Sequence, residues 1–130
     1  MRFLSIVLLI CADLYSLNTF FEDIQMLVDL RRYTIVPGLL KQYLAVYEEF
    51  GLPVQRRHVG DPLGYFISEV GTLNQVTHLW GYEDAADRQS RRAALENDPD
   101  WRAYKRKTAD GRYIQQQENQ LLVSAPWSKI

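Results

Sequence analysis

Two side chains, His78 and Glu118, have the types and surroundings that proton-transfer chemistry requires. An imidazole titrates near neutral pH and also ligates iron, so His78 predicts either a general base or a haem ligand. Glu118 lies with Gln116 and Gln120 on one alternation of the last predicted strand, where a hydrophobic run would be expected. A carboxylate held in a pocket there would accept a proton. The two residues are the candidates for a catalytic role, and the sequence does not establish that there is one.

Both residues also have a purely structural interpretation, and the sequence leaves the alternatives open. His78 would then be a hydrogen-bonded residue inside a sheet interface, next to Trp80. Glu118 would pair with Arg31 or Arg32 across that interface, or would face solvent at a sheet edge. The side of the strand that faces inward depends on the register, which a one-residue shift reverses.

Aromatic residues accompany His78 on the predicted strands and could line a cavity for a flat ligand. Tyr and Trp rings hold such ligands by stacking. They are also typical of an interface core, because they bury a large area with few rotatable bonds. The predicted ligand pocket or dimer interior consists of Tyr33, Tyr65, Val76, His78, Trp80, Tyr82, Gln116 and Glu118.

The sequence contains none of the familiar motifs for metals, phosphates or covalent catalysis. The single cysteine, Cys11, cannot form an internal disulfide. The two histidines, His58 and His78, have neither HxxxH nor HExxH spacing, so a zinc site is not predicted. Gly-rich phosphate loops, GxSxG and CxxC are all missing from the sequence. We therefore predict no metal and no resident cofactor, with haem as the hypothesis that His78 leaves open.

The charge distribution argues against a nucleic-acid partner. The chain has 15 basic and 16 acidic side chains, which give a net charge of -1. Binding to a polyanion requires concentrated Lys and Arg. The basic pairs are instead scattered and interrupted by acidic residues: Arg31-Arg32, Arg56-Arg57 and Arg91-Arg92.

The segments that position these residues begin with a predicted strand and a predicted helix. Residues 26–35 alternate as a strand, which ends before a Pro-Gly pair at 37–38. Residues 39–50 carry apolar side chains at helical spacing. Gly51 suits the left-handed residue just beyond a helix end. Pro53 can open a further short helical turn, with a strand as the alternative.

The second half of the chain predicts three more strands and a second helical region. Residues 64–70 and 73–82 are strands joined by a turn. An acidic segment then starts a helix, which Asp98-Pro99 restarts as an N-cap acceptor followed by proline. Residues 112–124 predict the last strand.

The order of these elements predicts an α+β, ferredoxin-like βαββαβ fold. One four-stranded antiparallel sheet would carry helices on one face only, and 130 residues with 47% hydrophobic content suit such a domain. Several strands carry apolar or aromatic residues on both alternations, for example Leu30 beside Tyr33 and Leu79 beside Trp80. A monomer would leave an apolar sheet face in water. We therefore predict a homodimer that packs sheet to sheet as a dimeric α/β barrel.

Five segments, taken in their order along the chain, resemble the NIPSNAP family. They are LRRYTIVPG (30–38), GLPVQRRHVG (51–60), GYFISEVGTLNQVTHLWGYED (64–84), RRAALENDPDW (91–101) and QENQLL (117–122). The resemblance runs from about Met26 to the C-terminus. It implies a dimeric α/β barrel of ferredoxin-like subunits and says little about chemistry. The chain looks like a stand-alone, bacterial-type member, because it has no presequence of the kind that mitochondrial animal members carry.

Residues 1–25 are predicted to lie outside the domain, which would comprise residues 26–130. The first segment has one basic residue and an apolar run that is too short to span a bilayer. It is interpreted as an upstream extension before a start at Met26, with a weak secretory signal or a functional helix as alternatives. We expect no membrane association for residues 26–130 and a cytoplasmic protein, unless residues 1–25 act as a signal.

Two functional hypotheses follow from the sequence. The first is a NIPSNAP-family homodimeric module of undefined biochemical activity that binds a small apolar or aromatic ligand in the barrel interior. The alternative is a cofactor-independent, monooxygenase-like or haem-binding enzyme of the dimeric α/β-barrel type. In the oxygenase, His78 and Glu118 would transfer protons. This hypothesis rests on the similarity of the predicted fold to that of such enzymes.

Overall fold

The computed structural model describes residues 25–130, which form a four-stranded sheet with helices packed against it. The predicted extension therefore lies almost entirely outside the described residues. The strands are β1 (Leu27–Ile35), β2 (Gly64–Ile67), β3 (Gln75–Tyr82) and β4 (Ile114–Val123). The helices are α1 (Leu40–Val46), a π-helical turn (Tyr47–Gly51), α2 (Leu52–Val59), α3 (Ala85–Asn97) and α4 (Pro99–Gly111).

The sheet has the strand order β2-β3-β1-β4, and every pair of neighbours is antiparallel. This order places the first strand beside the third and the fourth, as a split βαβ arrangement requires. The predicted ferredoxin-like, α+β fold is confirmed. Among residues 25–130, no helix is both long and apolar enough to cross a bilayer.

The second helical region begins again at Asp98, as predicted. The Asp98 carboxylate accepts a hydrogen bond from the Asp100 amide at 2.8 Å, and Pro99 occupies the first helical position, where its missing N–H costs nothing. The α4 helix ends at Gly111, and Arg112, the residue just beyond it, has a left-handed φ of 50°. The last strand therefore begins at Ile114 and not at residue 112.

Gly51 does not end a helix, so the prediction of a left-handed residue there is wrong. Its backbone is helical, with φ −92° and ψ −51°, and the chain continues through the π-helical turn into α2. The glycine is needed for close packing. A Cβ at this position would lie 2.9 Å from Cζ of Tyr104 and 2.8 Å from Cδ2 of Tyr47. Of the two structures predicted for the segment after Pro53, a helical turn or a strand, the structure therefore shows the helix.

We expect Gly51→Ala to lower the free energy of unfolding by about 1–3 kcal/mol, because an added methyl group overpacks this contact. The rings it meets, Tyr47 and Tyr104, are both buried and cannot swing away. Gly64→Ala is the matched control, since its Cβ would meet only the ring of Phe66, which is 56% exposed and free to move. Urea unfolding followed by tryptophan fluorescence measures both variants. Equal stabilities would contradict this account of Gly51.

The register of the sheet decides which residues face the helices. Trp80 and Tyr82 pack in a buried cluster with Leu95 of α3 and with Trp101 and Tyr104 of α4, so their side of β3 is the helix-covered face. Burial along β3 alternates strictly, and the buried residues are Val76, His78, Trp80 and Tyr82. Cross-strand partners share a face, so this face continues on β1 through Leu27, Asp29, Arg31 and Tyr33.

The other sheet face, called the open face below, carries the alternate residues. On β1 these include Val28 and Leu30, and on β3 they include Thr77 and Leu79. Phe66 of β2 continues this face. Neither alternation of β3 is fully solvated, because helices cover one side and the residues of the other side, which include Leu79, are half-buried.

Candidate functional site

A cavity lies between the sheet and the helices, beside His78. Its volume is about 180 Å³, somewhat larger than a cavity of about 150 Å³ that holds benzene in another protein. A single ring or a short branched chain therefore fits inside. We call it the inner cavity; its lining residues are Arg31, Tyr33, Tyr43, Tyr47, Gln55, His78, Arg92, Glu96, Trp101, Tyr104, Lys105, Thr108, Ile114 and Gln117.

The π-helical turn contributes to the wall of this cavity. Such turns insert one extra residue per helical turn and are frequent at functional sites. Here the turn carries Tyr47, whose hydroxyl donates to Oε1 of Gln55 in α2 at 2.5 Å. Burial raises the pKa of Tyr47, and it also raises the pKa of Tyr65 and Tyr104. These phenols stay protonated at physiological pH and cannot serve as bases there.

The protonation state of His78 follows from its neighbour Trp80. The indole Nε1–H donates to Nδ1 of His78 at 2.6 Å, and an indole nitrogen can only donate. The Nδ1 lone pair is therefore occupied, so the neutral ring carries its proton on Nε2. Burial lowers the pKa of His78 to about 3, and the positive charges of Arg31 and Arg92 add to this effect against the opposing Asp29.

The Nε2–H of His78 is a buried donor with no hydrogen-bond partner among residues 25–130. A general base or an iron ligand needs a free lone pair at Nε2, which this tautomer lacks. In this tautomer His78 acts as a hydrogen-bond donor, and the general-base and haem-ligand roles, which need the other tautomer, stay predictions. Tyr65 stacks on its ring at a centroid distance of 4.7 Å and Tyr33 meets its edge at 4.9 Å, so the imidazole is held in one orientation.

A buried ion-pair network lies next to His78 on β1. Arg31 is the cross-strand partner of His78, and its guanidinium donates to the Tyr33 hydroxyl at 2.9 Å and to Asp29 at 3.3 Å. Asp29 is fully buried and also accepts from Arg88 of α3 at 2.9 Å. Burial acts to lower the pKa of Arg31, but Tyr33 and Asp29 outweigh it and raise that pKa. Arg31 therefore remains cationic.

The helices add further charges to the inner cavity. Lys105 of α4 forms an ion pair with Glu96 of α3, and Nε1 of Trp101 donates to the same carboxylate at 3.2 Å. Burial acts to raise the pKa of Glu96, but the hydrogen bonds from Lys105 and Trp101 lower it below its usual range. Arg92 of α3 makes no ion pair with any acidic residue in the described part of the chain.

The structure divides the predicted site residues between the two faces of the sheet. Tyr33 and His78 line the inner cavity and Tyr65 stacks against His78. Trp80 and Tyr82 belong to the core under the helices, and Val76 packs in a second buried cluster. The prediction that His78 faces a dimer interior is wrong, because helices cover its side of the sheet.

Gln116 and Glu118 lie on the open face. In the ladder between β1 and β4, Glu118 is opposite Arg32 and Gln116 is opposite Thr34, on the alternation that excludes His78. The sheet therefore separates Glu118 from His78, and the predicted proton-transfer pair does not exist. Both residues are exposed to solvent, as the structural alternative for Glu118 proposed.

No pattern in the sequence indicated the helical side of the inner cavity. Arg92 stood out in the sequence only as half of a basic pair with Arg91, yet it lines the cavity and is half buried. Glu96 and Lys105 are nine positions apart in different helices, so no spacing rule joins them. The packing of α3 against α4 brings them together, and a single sequence carries no direct signal of that packing.

A model of the NIPSNAP family matches residues 28–129, nearly the whole described chain. The chain belongs to the NIPSNAP family. The NIPSNAP fold also appears in a solved structure of a family member with unknown function from Agrobacterium tumefaciens. That protein is 35% identical, superposes with a TM-score of 0.76, and the match covers 82% of this chain and 94% of that one.

Two further comparisons place this NIPSNAP domain among larger and more distant proteins. NipSnap homolog 3B of Mus musculus is 30% identical over 117 residues, covering 88% of this chain and 43% of the mouse protein. The chain spans less than half the length of the curated NIPSNAP relatives it matches. A putative antibiotic biosynthesis monooxygenase from a Bacteroides species is 27% identical, with a TM-score of 0.54 over 82% of this chain and 93% of that one. That the chain is a bacterial-type member stays a prediction.

Proposed function

We propose that this NIPSNAP chain is a homodimeric binding module whose inner cavity holds one small, largely apolar ligand with a hydrogen-bond acceptor. The observation that carries the proposal is the buried Nε2–H of His78, which lacks a partner among the described residues. A buried donor left unsatisfied costs about 1–3 kcal/mol, so an acceptor on a ligand would recover that free energy. The ligand would lie within one subunit, between sheet and helices, and not between two subunits.

The aromatic lining supports a ligand of this size. Tyr43, Tyr47, Trp101 and Tyr104 present ring surfaces around a volume of about 180 Å³. Apolar walls with a few placed polar groups are the usual composition of small-molecule pockets. A fused multi-ring substrate would exceed this volume, whereas one ring would not.

The dimer part of the proposal is supported by strand β4. Residues 115–123 are exposed, and β4 pairs with β1 alone, so its outer edge is free among the described residues. Leu122, opposite Val28 on the open face, is 38% exposed, and Phe66 on the same face is 56% exposed. Proteins seldom leave a free strand edge and exposed apolar residues on an open sheet face uncovered, and a second copy would cover both. Light scattering should give twice the 15.2 kDa chain mass, and a stable monomer would contradict the dimer.

The proposal also includes a single domain and a cytoplasmic location. The family match to residues 28–129 supports one NIPSNAP domain over 26–130, with residues 1–25 as an extension. The single cysteine cannot form an internal disulfide, so the fold does not depend on an oxidising compartment. We therefore propose a cytoplasmic location.

Binding can be tested with a panel of single-ring compounds, charged and neutral, titrated into the full chain and followed by NMR of the tryptophan indole N–H groups. We expect saturable binding of at least one compound at one site per chain. Thr108→Phe should weaken it more than tenfold, because the new ring would occupy the inner cavity that Thr108 lines. Arg106→Phe is the control on the same helix, at an exposed position. If no compound in the panel binds, the binding proposal fails.

A second candidate function is a cofactor-independent oxygenase, which the likeness to the putative antibiotic biosynthesis monooxygenase favours. The cavity volume restricts its substrate to a single-ring quinol. Oxygen uptake with such a quinol should exceed the background rate in the wild type and fall to it in Thr108→Phe. Equal rates in the two proteins would remove this candidate.

A further inference from the structure

We propose that the inner cavity selects a small organic carboxylate, whose anionic group accepts hydrogen bonds from His78 and lies beside Arg31 and Arg92. This inference rests on the proposed function, because it names the chemical class of the ligand for the same cavity. Three features of the cavity support this ligand class: its hydrogen-bond donors, its balance of charge and its shape.

The polar groups at the sheet end of the cavity are mainly donors. His78 offers only Nε2–H, because its Nδ1 already accepts from Trp80. Arg31 is directly opposite His78 in the β1–β3 ladder, so the two side chains emerge about 5 Å apart on one face. A guanidinium has no acceptor atom. A ligand group that contacts both side chains must therefore accept hydrogen bonds, and a carboxylate can accept them through two oxygens.

The charges around this end of the cavity do not cancel. Asp29 is shared between Arg31 and Arg88, so one carboxylate faces two guanidinium groups. Glu96 is already engaged by Lys105. Arg92 has no ion-pair partner among residues 25–130, which leaves an excess of positive charge at a half-buried position. Charge-assisted hydrogen bonds to an anion are about twice as strong as neutral ones, and therefore favour a charged ligand over its neutral analogue.

The apolar part of the cavity distinguishes an organic carboxylate from an inorganic anion. The rings of Tyr43, Tyr47 and Trp101 line the same volume as the cations. Phosphate or sulfate would leave these surfaces without contacts, whereas an aryl or branched alkyl group would cover them. A cavity of about 180 Å³ accommodates one ring with a carboxylate attached.

The test compares benzoate with its neutral analogues benzamide and benzyl alcohol by calorimetry on the full chain. We expect benzoate to bind at least tenfold more tightly than either analogue. Arg92→Gln should lose about tenfold in benzoate affinity and should change benzyl alcohol binding less than twofold. Arg91→Gln is the matched control: the neighbouring arginine is paired with Asp87 and does not line the cavity, so its benzoate affinity should equal that of the wild type.

The outcomes separate this inference from the proposed function. If benzyl alcohol or benzamide binds as tightly as benzoate, the carboxylate inference is overturned while the binding function stands. The same holds if Arg92→Gln binds benzoate as the wild type does. If inorganic phosphate competes with benzoate at equal concentration, the site recognises anions without an organic body, and the inference is again overturned. If none of the three ring compounds and no other member of the single-ring panel binds, both proposals fail.

Discussion

Replacement of Asp29 by asparagine is expected to lower the free energy of unfolding by about 3–5 kcal/mol. The Asp29 carboxylate is fully buried and pairs with Arg31 at 3.3 Å and with Arg88 at 2.9 Å. Asparagine has the same size and keeps an acceptor oxygen, but it removes the charge. Two guanidinium groups, with only 17% and 22% of their side chains exposed, would then lack a counter-ion.

The matched control is Asp61→Asn. Asp61 also pairs with an arginine, Arg56, at 2.6 Å, but both side chains are mostly exposed. Solvent screens such a pair, so we expect a loss below about 1 kcal/mol. Urea unfolding at pH 7, followed by tryptophan fluorescence, measures both variants. A loss below 1 kcal/mol in Asp29→Asn would show that the network is not a stabilising feature of the β1–α3 contact.

The second large effect is a loss of folding stability at acidic pH, which we expect because His78 is buried in its neutral form. Burial holds the pKa of His78 at about 3, below the usual 6.5 of an exposed histidine. Between these values the unfolded chain binds a proton that the folded chain does not bind, so stability falls as the pH falls. His78 therefore lowers the free energy of unfolding by about 1.4 kcal/mol for each pH unit below pH 6.5. Between pH 6.5 and 5 the loss is therefore about 2 kcal/mol.

His78→Gln should remove this slope, because glutamine does not titrate and still offers an N–H donor. His58→Gln is the control: it removes the other histidine, which is partly buried and bonded to Asp98 at 2.8 Å away from the inner cavity, and should retain the slope. Unfolding at pH 7, 6 and 5 compares the three proteins. The same slope in His78→Gln as in the wild type would contradict the assignment. Long-range nitrogen NMR should independently show the Nε2–H tautomer of His78 down to pH 5.

Much of the fold was predictable because it depends on local patterns. The period-two alternation of residues 73–82 and the helical spacing of residues 39–50 arise from backbone geometry, and a single sequence displays both. Asp98-Pro99 indicated a helix start because an aspartate side chain can cap a helix and proline is favoured at the first helical position. Gly51 failed as a prediction because its role is a contact with Tyr104, a residue more than fifty positions away.

One residue of the inner cavity was already prominent in the sequence. His78 stood out as a polar group among aromatics, and the structure places it beside the inner cavity, but its hydrogen bonding depends on contacts that the sequence does not show. Trp80 fixes the tautomer, and Arg92 and Glu96 approach from a helix. Glu118 was joined to His78 because both stood out as polar residues in apolar strands. The strand register separates them.

The sequence by itself determined the order of the elements, the family and the presence of two apolar alternations on the strand LNQVTHLWGY. Only the tertiary structure decided which alternation the helices cover. A period of two defines two sides but does not distinguish them, since a one-residue shift exchanges every side chain between the faces. The helices pack on the side of His78, Trp80 and Tyr82. That choice makes His78 a buried donor beside the inner cavity and leaves the opposite sheet face without a helix packed on it among the described residues.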